Sequence, residues 1–592
     1  MRLSRSMLGI ALIGGCRSDQ PAQPAWRMTH LTTVSQQGIV GYRDPLGTIS
    51  PDGRWLATSV QGELWRHPVG GGAAEHLTGP GPIIQQILWL PSGDAIVTSE
   101  ADTVARWWVY EPGKERRPLW PLGTELSATD ERRATRSVRP TGFRFVAWTP
   151  DGVEWRGFRQ RGDSTEIWAS PFDAARGAAS VSVVAGKLSF PSFSPRRELV
   201  CLKEVAGVPY PAVPCLAPDS AKAPHRPAYG PLAFSLSGDT LYFASPNDKG
   251  SLDLWLYDRQ TRAEARMTNT GRDTYAPSVA KDGRLLVKTQ NYRTSVWVMD
   301  LATQAARSLT AFQAETPSWD PTGHSIGVTY GTWRRYIDDY NYPDIAQDVG
   351  LISADSSAPQ GKPYRVIEAS PSEDQSMAWS PNGKWIVFHS HKDNSDDLWL
   401  MPADGSAPAR RITFFGRGAE AGWPRWSPDG RWIVVGADSK KHEGSAIHRV
   451  AVDQQTGATK PSEEITIDGF EPLHAEWLPD SRRLAVHGHL DRDRQIIAIV
   501  SLGGGAGRVV HEFRNVQRFT GIGVSPDGQW VAFAAPDSKR IPQIFRVGIA
   551  GGTPEQLTAD SSNKTQPAFS PDGKRLAYTV WEYSVPLWLV SR

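Results

Sequence analysis

Apolar and polar residues recur along this chain in short runs, few of them at helical spacing. An alternating run such as "WIVFHS" (385–390) has the period of two of a strand packed on one face. It follows a turn of the form Ser-Pro-Asp-Gly, whose Pro and Gly suit a tight reversal, and the turn follows a short apolar run such as "PRW" or "PAF". Together these predict a hairpin. A third strand comes next, "LDLWLYD" or "DDLWLMP", and then a fourth ending in Leu-Thr or a close variant: "AEHLT", "EARMT", "ARSLT", "ARRIT", "PEQLT".

The unit repeats. Clear copies of the turn and its following strand begin at Ser50, Ser380, Ser427, Ser525 and Ser570, and weaker ones at Leu90, Thr149, Ser194, Ser235, Ala280, Asp320 and Leu478. Numbered in chain order these are repeats 1 to 12. Their mean spacing falls near the roughly 40 to 45 residues of a four-stranded propeller blade. The combination resembles the TolB-type, WD-like propeller repeat, and the resemblance covers nearly everything from Thr33 to the end of the chain. It implies an all-β fold of tandem β-propellers with four-stranded antiparallel blades, about twelve in number. Two six-bladed propellers, 27–310 and 311–592, are the expected division, with seven-plus-five or one large ring as alternatives. "WRMTHLT" (26–32) looks like a fourth strand with no blade before it, whereas the last repeat stops after a third strand, "VPLWLVSR". The N-terminal strand is therefore expected to complete the last blade, pairing near Leu587 to Val590 and hiding an edge.

Composition supports the strand reading: 24 Trp, 55 Gly and 46 Pro suit many short strands and turns. Lys plus Arg at 65 against Asp plus Glu at 63 leaves no excess charge for tracking phosphates, so nucleic acid is not an implied partner. At the N-terminus Arg2 and Arg5 precede a short apolar run, Met7 to Ile13, and small residues before Cys16, the layout of a secretory signal rather than a membrane span. "Ile-Gly-Gly-Cys" resembles the bacterial lipobox. The resemblance implies a signal peptide over 1–15, lipidation of Cys16 and a polar tether over 16–26; Arg17 after the Cys implies outer-membrane delivery. The membrane is then met only through that anchor, with the protein facing the periplasm or cell surface. In an oxidising compartment Cys201 and Cys215 could form a disulfide; two free thiols are the alternative.

Gly323-His324-Ser325-Ile326-Gly327 fits the G-x-S-x-G pattern of a serine nucleophile. Ser325, however, occupies the repeat position of Trp385 and Trp432, so the motif is read as a hairpin turn and no catalytic residue is assigned. By propeller topology the Ser-Pro-Asp-Gly turns lie on one face, and the links between strands two and three and between blades on the other. The largest departure from the repeat falls on that second face: "TWRRYIDDYNYPDIAQ" (332–347) carries Trp333, Arg334, Arg335, Asp338, Asp339, Tyr340 and Tyr342, residue types that dominate binding energy at interfaces. Glu315, Asp374, Gln375, Glu420, Glu471, His474, Arg518, Lys564 and Gln566 fall in blade connections at the same rim. The pairs His389-x-His391 and His487-x-His489 put two imidazoles on one strand face. No carboxylate cluster is tied to either pair, so His389 and His391 stand as metal candidates only, and no metal or other cofactor is assigned. The expected function is a non-catalytic binding or scaffolding module for an envelope protein or peptide. The alternative is a metal-dependent glycan lyase or hydrolase.

Overall fold

A computed structural model describes residues 27–35, 47–118, 145–212 and 224–591, less short breaks of which 332–346 is the longest. The described residues form 48 strands and no α-helix. Most of the sheets have four antiparallel strands in chain order, the arrangement of propeller blades.

The recurring turn is held by its own side chains. In repeats 1, 9 and 12 the Ser hydroxyl donates to the Asp carboxylate, Ser50 to Asp52, Ser427 to Asp429 and Ser570 to Asp572, each over 2.6 Å. The same hydroxyl accepts the backbone N–H five residues on, from Trp55 (2.9 Å), Trp432 (3.0 Å) and Arg575 (2.9 Å). Glycine closes the turn because φ there is about 70°, a left-handed value that a Cβ disfavours: 71° at Gly53, 70° at Gly430 and 70° at Gly573.

The Leu-Thr ending has an equally local cause. Fourth strands are short, only Glu75–His76, Arg410–Arg411 and Glu555–Gln556 in repeats 1, 8 and 11, so their pairing ends before the third strand does. The threonine hydroxyl takes over, accepting a third-strand N–H: Leu64 to Thr78 (3.0 Å), Leu398 to Thr413 (2.8 Å) and Ile544 to Thr558 (2.9 Å). In repeat 8 Thr413 also donates to Asp397 (2.7 Å), which pairs with Arg411 and accepts the N–H of Phe415. Asp253 has matching partners in Thr268 and Arg266.

Neighbouring sheets pack through their apolar faces, as where Val387, Leu398 and Leu400 of repeat 8 meet Trp426, Ile433 and Val435 of repeat 9. Indole N–H groups bridge the innermost strands: Trp319 donates to the carbonyl of Ala568 (3.0 Å) and Trp477 to that of Arg425 (3.1 Å). The innermost strands Ala314–Trp319, Asp374–Trp379, Gly422–Trp426, Glu471–Trp477, Ile522–Val524 and Asn563–Phe569 touch one another in succession, and the last returns to the first.

One sheet departs from the pattern. Strand Arg575–Ser591 is 17 residues long and serves two blades. Its first half, Arg575 to Ser584, lies between Asn563–Phe569, its own hairpin partner, and Asn291–Asp300, which follows the repeat 6 hairpin. Its second half crosses to the repeat 6 hairpin, where Val590 to Leu587 pair with Leu285 to Lys288. Arg27–Ser35 completes that blade as its outer strand, with Met28 opposite Val590 and Thr32 opposite Leu587. The N-terminal strand thus lies along the residues that the sequence analysis set beside it, but the blade opens with Thr274–Val279 rather than Asn563–Phe569. Residues 291–308, which the repeat count puts in the 27–310 unit, hydrogen-bond into the blade of repeat 12.

Two predictions follow from these bonds. Thr413→Val keeps the shape but removes a buried acceptor of N–H and a donor to a buried carboxylate, so unfolding free energy should fall by roughly 2–3 kcal/mol in denaturant titrations. An unchanged midpoint would show that the hydroxyl is dispensable. Produced separately, 27–310 lacks the third strand of one blade and 311–592 lacks the outer half of another. Each should be poorly soluble or non-cooperative in unfolding, whereas co-expression should yield a stable pair; a monomeric, cooperatively folded 27–310 would refute the exchange.

Candidate functional site

The innermost strands do not run straight. In repeats 7, 8, 9 and 12 their register against the second strand slips, and the slip is marked by a non-glycine residue at positive φ: Thr316 (52°), Ser376 (52°), Trp423 (53°) and Gln566 (55°). Such bulges redirect side chains and concentrate near functional sites. The freed N–H groups are caught by neighbours: Ser376 donates to Thr329 Oγ1 of repeat 7 (2.9 Å), and Thr316 to Gln566 Oε1 of repeat 12 (3.1 Å). Gln566 is therefore part of the closure between repeats 12 and 7.

Those of the polar residues expected in blade connections that are among the described residues lie on innermost strands, and most of them are buried. Glu315 sits one residue before its bulge and accepts a bond from Gln347 Nε2 (2.8 Å). Burial pushes its carboxyl up to about 7, and the Gln347 bond opposes that shift. Asp374 begins the equivalent strand of repeat 8, opposite Ser390, with Gln375 half-buried beside it and donating to Glu373 Oε2 (3.2 Å). Lys564 is buried and paired with Asp560. His474 accepts the N–H of Ile522 at Nδ1 (3.2 Å), a bond from repeat 10 to repeat 11, and burial holds its imidazole well below the ordinary range. Glu471 is exposed and accepts the N–H of Ser445 (3.0 Å).

The two histidine pairs differ. His487 bonds Gln495 over 2.8 Å, and burial lowers its imidazole to about 4. His389 and His391 are in other company, and the expectation that no carboxylate is tied to them is overturned. His391 Nε2 lies 2.7 Å from Asp396 Oδ1, and its Nδ1 lies 3.4 Å from Glu373 Oε2. His389 Nε2 is 3.8 Å from the same Asp396 oxygen. Lys392 Nζ lies 2.6 Å from Glu368, the last residue of the outer strand of repeat 7, and 4.0 Å from Asp374. Hairpin pairing within the blade makes this grouping, because Asp374 lies opposite Ser390 and the N–H of His391 donates to the carbonyl of Glu373 (3.0 Å). Asp396 was legible as a departure from the repeat: "SDDLW" has Asp396 where "SLDLW" has Leu252, while Asp397 matches the structural Asp253.

Ser325 begins strand Ser325–Tyr330, and its hydroxyl bonds the Tyr364 hydroxyl (2.8 Å). Gly323, at φ 76°, is the glycine of a hairpin turn, and no strand-to-helix elbow is present there. Cys201 is buried and disulfide-bonded. Its expected partner Cys215 lies outside the described residues, as do Cys16, Glu420, Arg518 and the insertion residues Trp333, Arg334, Arg335, Asp338, Asp339, Tyr340 and Tyr342.

No family model matches the chain. An uncharacterized protein of Agrobacterium fabrum is 26% identical over 222 residues, 37% of this chain and 70% of that protein. Among solved structures, a putative TolB from Agrobacterium tumefaciens aligns with a TM-score of 0.37 at 17% identity, covering 49% of this chain and 99% of its own. TolB from Acinetobacter baumannii aligns at 0.36 and 14%, covering 56% and 84%. The tricorn protease aligns at 0.29 and 10%, covering 86% of this chain and 62% of its own. The propeller assignment rests on the sheets themselves.

Glu315 supplies a test of the buried rim. Because its folded value of about 7 exceeds the ordinary 4.5, the native state holds a proton that the unfolded chain releases. That stability is complete below pH 4.5 and is lost as pH rises through about 7. Glu315→Gln removes the dependence, so between pH 4.5 and 8 the wild type should lose about 3 kcal/mol relative to the variant, at ~1.4 kcal/mol per pH unit. Parallel stability profiles would place Glu315 in water.

Proposed function

We propose that the chain is a cell-envelope lipoprotein, acylated at Cys16 and anchored in the outer membrane, that carries two six-bladed propellers as a binding or scaffolding module for an envelope protein or peptide. The propellers correspond to 27–310 and 311–592, exchanging strands at their last blades. The observation that carries the reading is the place from which the insertion springs. Strand Ser325–Tyr330 ends and strand Asp348–Ser353 begins with Tyr330 opposite Asp348, and Tyr330 also faces Ala314, next to Glu315. The loop with Trp333, Arg335 and Tyr340 thus leaves from the end of the ring where Glu315, Asp374, Gln375 and Lys564 gather. The insertion's aromatic and Arg residues are of the types that form interface hot spots, and fixed polar groups lie at the strand ends that it joins.

The alternative, a metal-dependent glycan lyase or hydrolase, draws on the grouping of His389, His391 and Asp396. Release of unsaturated or reducing sugars by purified protein supplied with Mn²⁺ or Zn²⁺ would favour it over binding alone.

The binding reading is tested on a partner captured from envelope extract. Replacing Trp333 and Arg335 together with Ala should weaken its binding roughly 30-fold, about 2 kcal/mol, with little change in melting temperature. If the double variant instead melts far lower, and changes elsewhere on that face leave binding intact, the insertion is structural.

A further inference from the structure

Among the described residues, one group of His, Cys, Asp or Glu side chains is placed to hold a metal ion: His389, His391 and Asp396, with one ligand atom from each lying within 4.8 Å of the others. Its members are drawn in by different elements. His389 lies in strand Trp385–Ser390 and His391 just beyond it, while Asp396 immediately precedes strand Asp397–Pro402. The site does not depend on the insertion or on any partner.

Three features separate it from an ordinary cluster of polar groups. First, His389 is only 5% exposed, and its Nε2 has no hydrogen-bond partner. A buried ring nitrogen in that condition is destabilising unless something else satisfies it. Second, the spacing suits a small cation. Ligand atoms about 2.0–2.1 Å from a tetrahedral Zn²⁺ lie roughly 3.3 Å apart. The Asp396 oxygen is 2.7 Å from His391 Nε2 and 3.8 Å from His389 Nε2, distances that bracket that value, and the three ligand atoms all lie within 4.8 Å of one another. Third, the outer contacts are those that orient a metal-binding imidazole. Glu373 lies 3.4 Å from Nδ1 of His391, the nitrogen away from Asp396, and is itself held by Gln375. A carboxylate on the far nitrogen fixes the ring and raises its basicity toward a metal.

Glu373 (7% exposed), Asp374 (0%) and Asp396 (4%) are buried together, with Lys392 reaching Glu368 and Asp374 beside them. We propose that His389 Nε2, His391 Nε2 and an Asp396 carboxylate oxygen bind one divalent first-row transition metal, Zn²⁺ being the best fit to two imidazoles and one carboxylate.

The test uses the full chain, stripped with chelator and re-equilibrated with micromolar Zn²⁺. Elemental analysis should find about one equivalent retained, and Zn²⁺ should raise the melting temperature. His389→Gln and Asp396→Asn should each lower affinity at least 100-fold, Glu373→Gln about 10-fold as an orienting residue, and His487→Gln not at all. Cobalt substitution gives a readout independent of stability: visible d–d bands typical of low coordination should appear in the wild type and vanish in Asp396→Asn. Retention below a tenth of an equivalent, or wild-type-like binding and bands in both His389→Gln and Asp396→Asn, overturns the site. Should the variants fail to fold, the wild type decides: no cobalt bands, or Zn²⁺ held only at millimolar concentration, also overturns it.

Discussion

Small sheets leave many backbone groups outside their ladders, and each buried N–H needs an acceptor. In this protein short hydroxyl side chains meet that need at both ends of a blade. The Ser of the turn accepts from the start of the second strand, and the Thr of Leu-Thr accepts from the third strand where the fourth gives out. Both bonds are made within one blade. The blades can therefore vary in their apolar contacts while keeping one shape, and the ring can be assembled from weakly similar copies. The bulged inner strands extend the same principle across blades, with Thr329 and Gln566 catching the N–H that the neighbouring bulge releases.

Much of this architecture is legible in the sequence because the hydroxyl bonds are local. Ser, Asp and Gly at fixed offsets, or Leu-Thr after a short strand, need no knowledge of distant residues. The partnership of Arg27–Ser35 with the end of the chain is also legible, since an unpaired fourth strand and a missing fourth strand are complementary. The blade they complete is not. Whether Leu587 continues beside its own hairpin or crosses to Leu285 depends on packing between halves of the molecule, which no local pattern encodes.

The site is legible in part for a related reason. Topology places Glu315, Asp374 and Lys564 at one end of the ring, but the burial of these groups depends on how closely the blades approach, so residues that look like solvated loops become strand residues in a low-dielectric wall. His389 and His391 stand out by spacing. Glu373 does not, because it precedes them by most of a hairpin, and Asp396 shows only once the repeats are aligned and Asp397 is recognised as the acid that the blade itself requires.

The long strand Arg575–Ser591 also sets an order of events. The first blades are synthesised early, yet the sixth lacks its third strand until residues 585–590 have been made, and Arg27–Ser35 has nothing to pair with until then. At roughly 5–20 residues per second, translation keeps Arg27–Ser35 waiting for about half a minute to two minutes. Closure of the sixth blade thus waits on residues 585–590, and a chain interrupted before them would leave unfinished a part of the protein made long before.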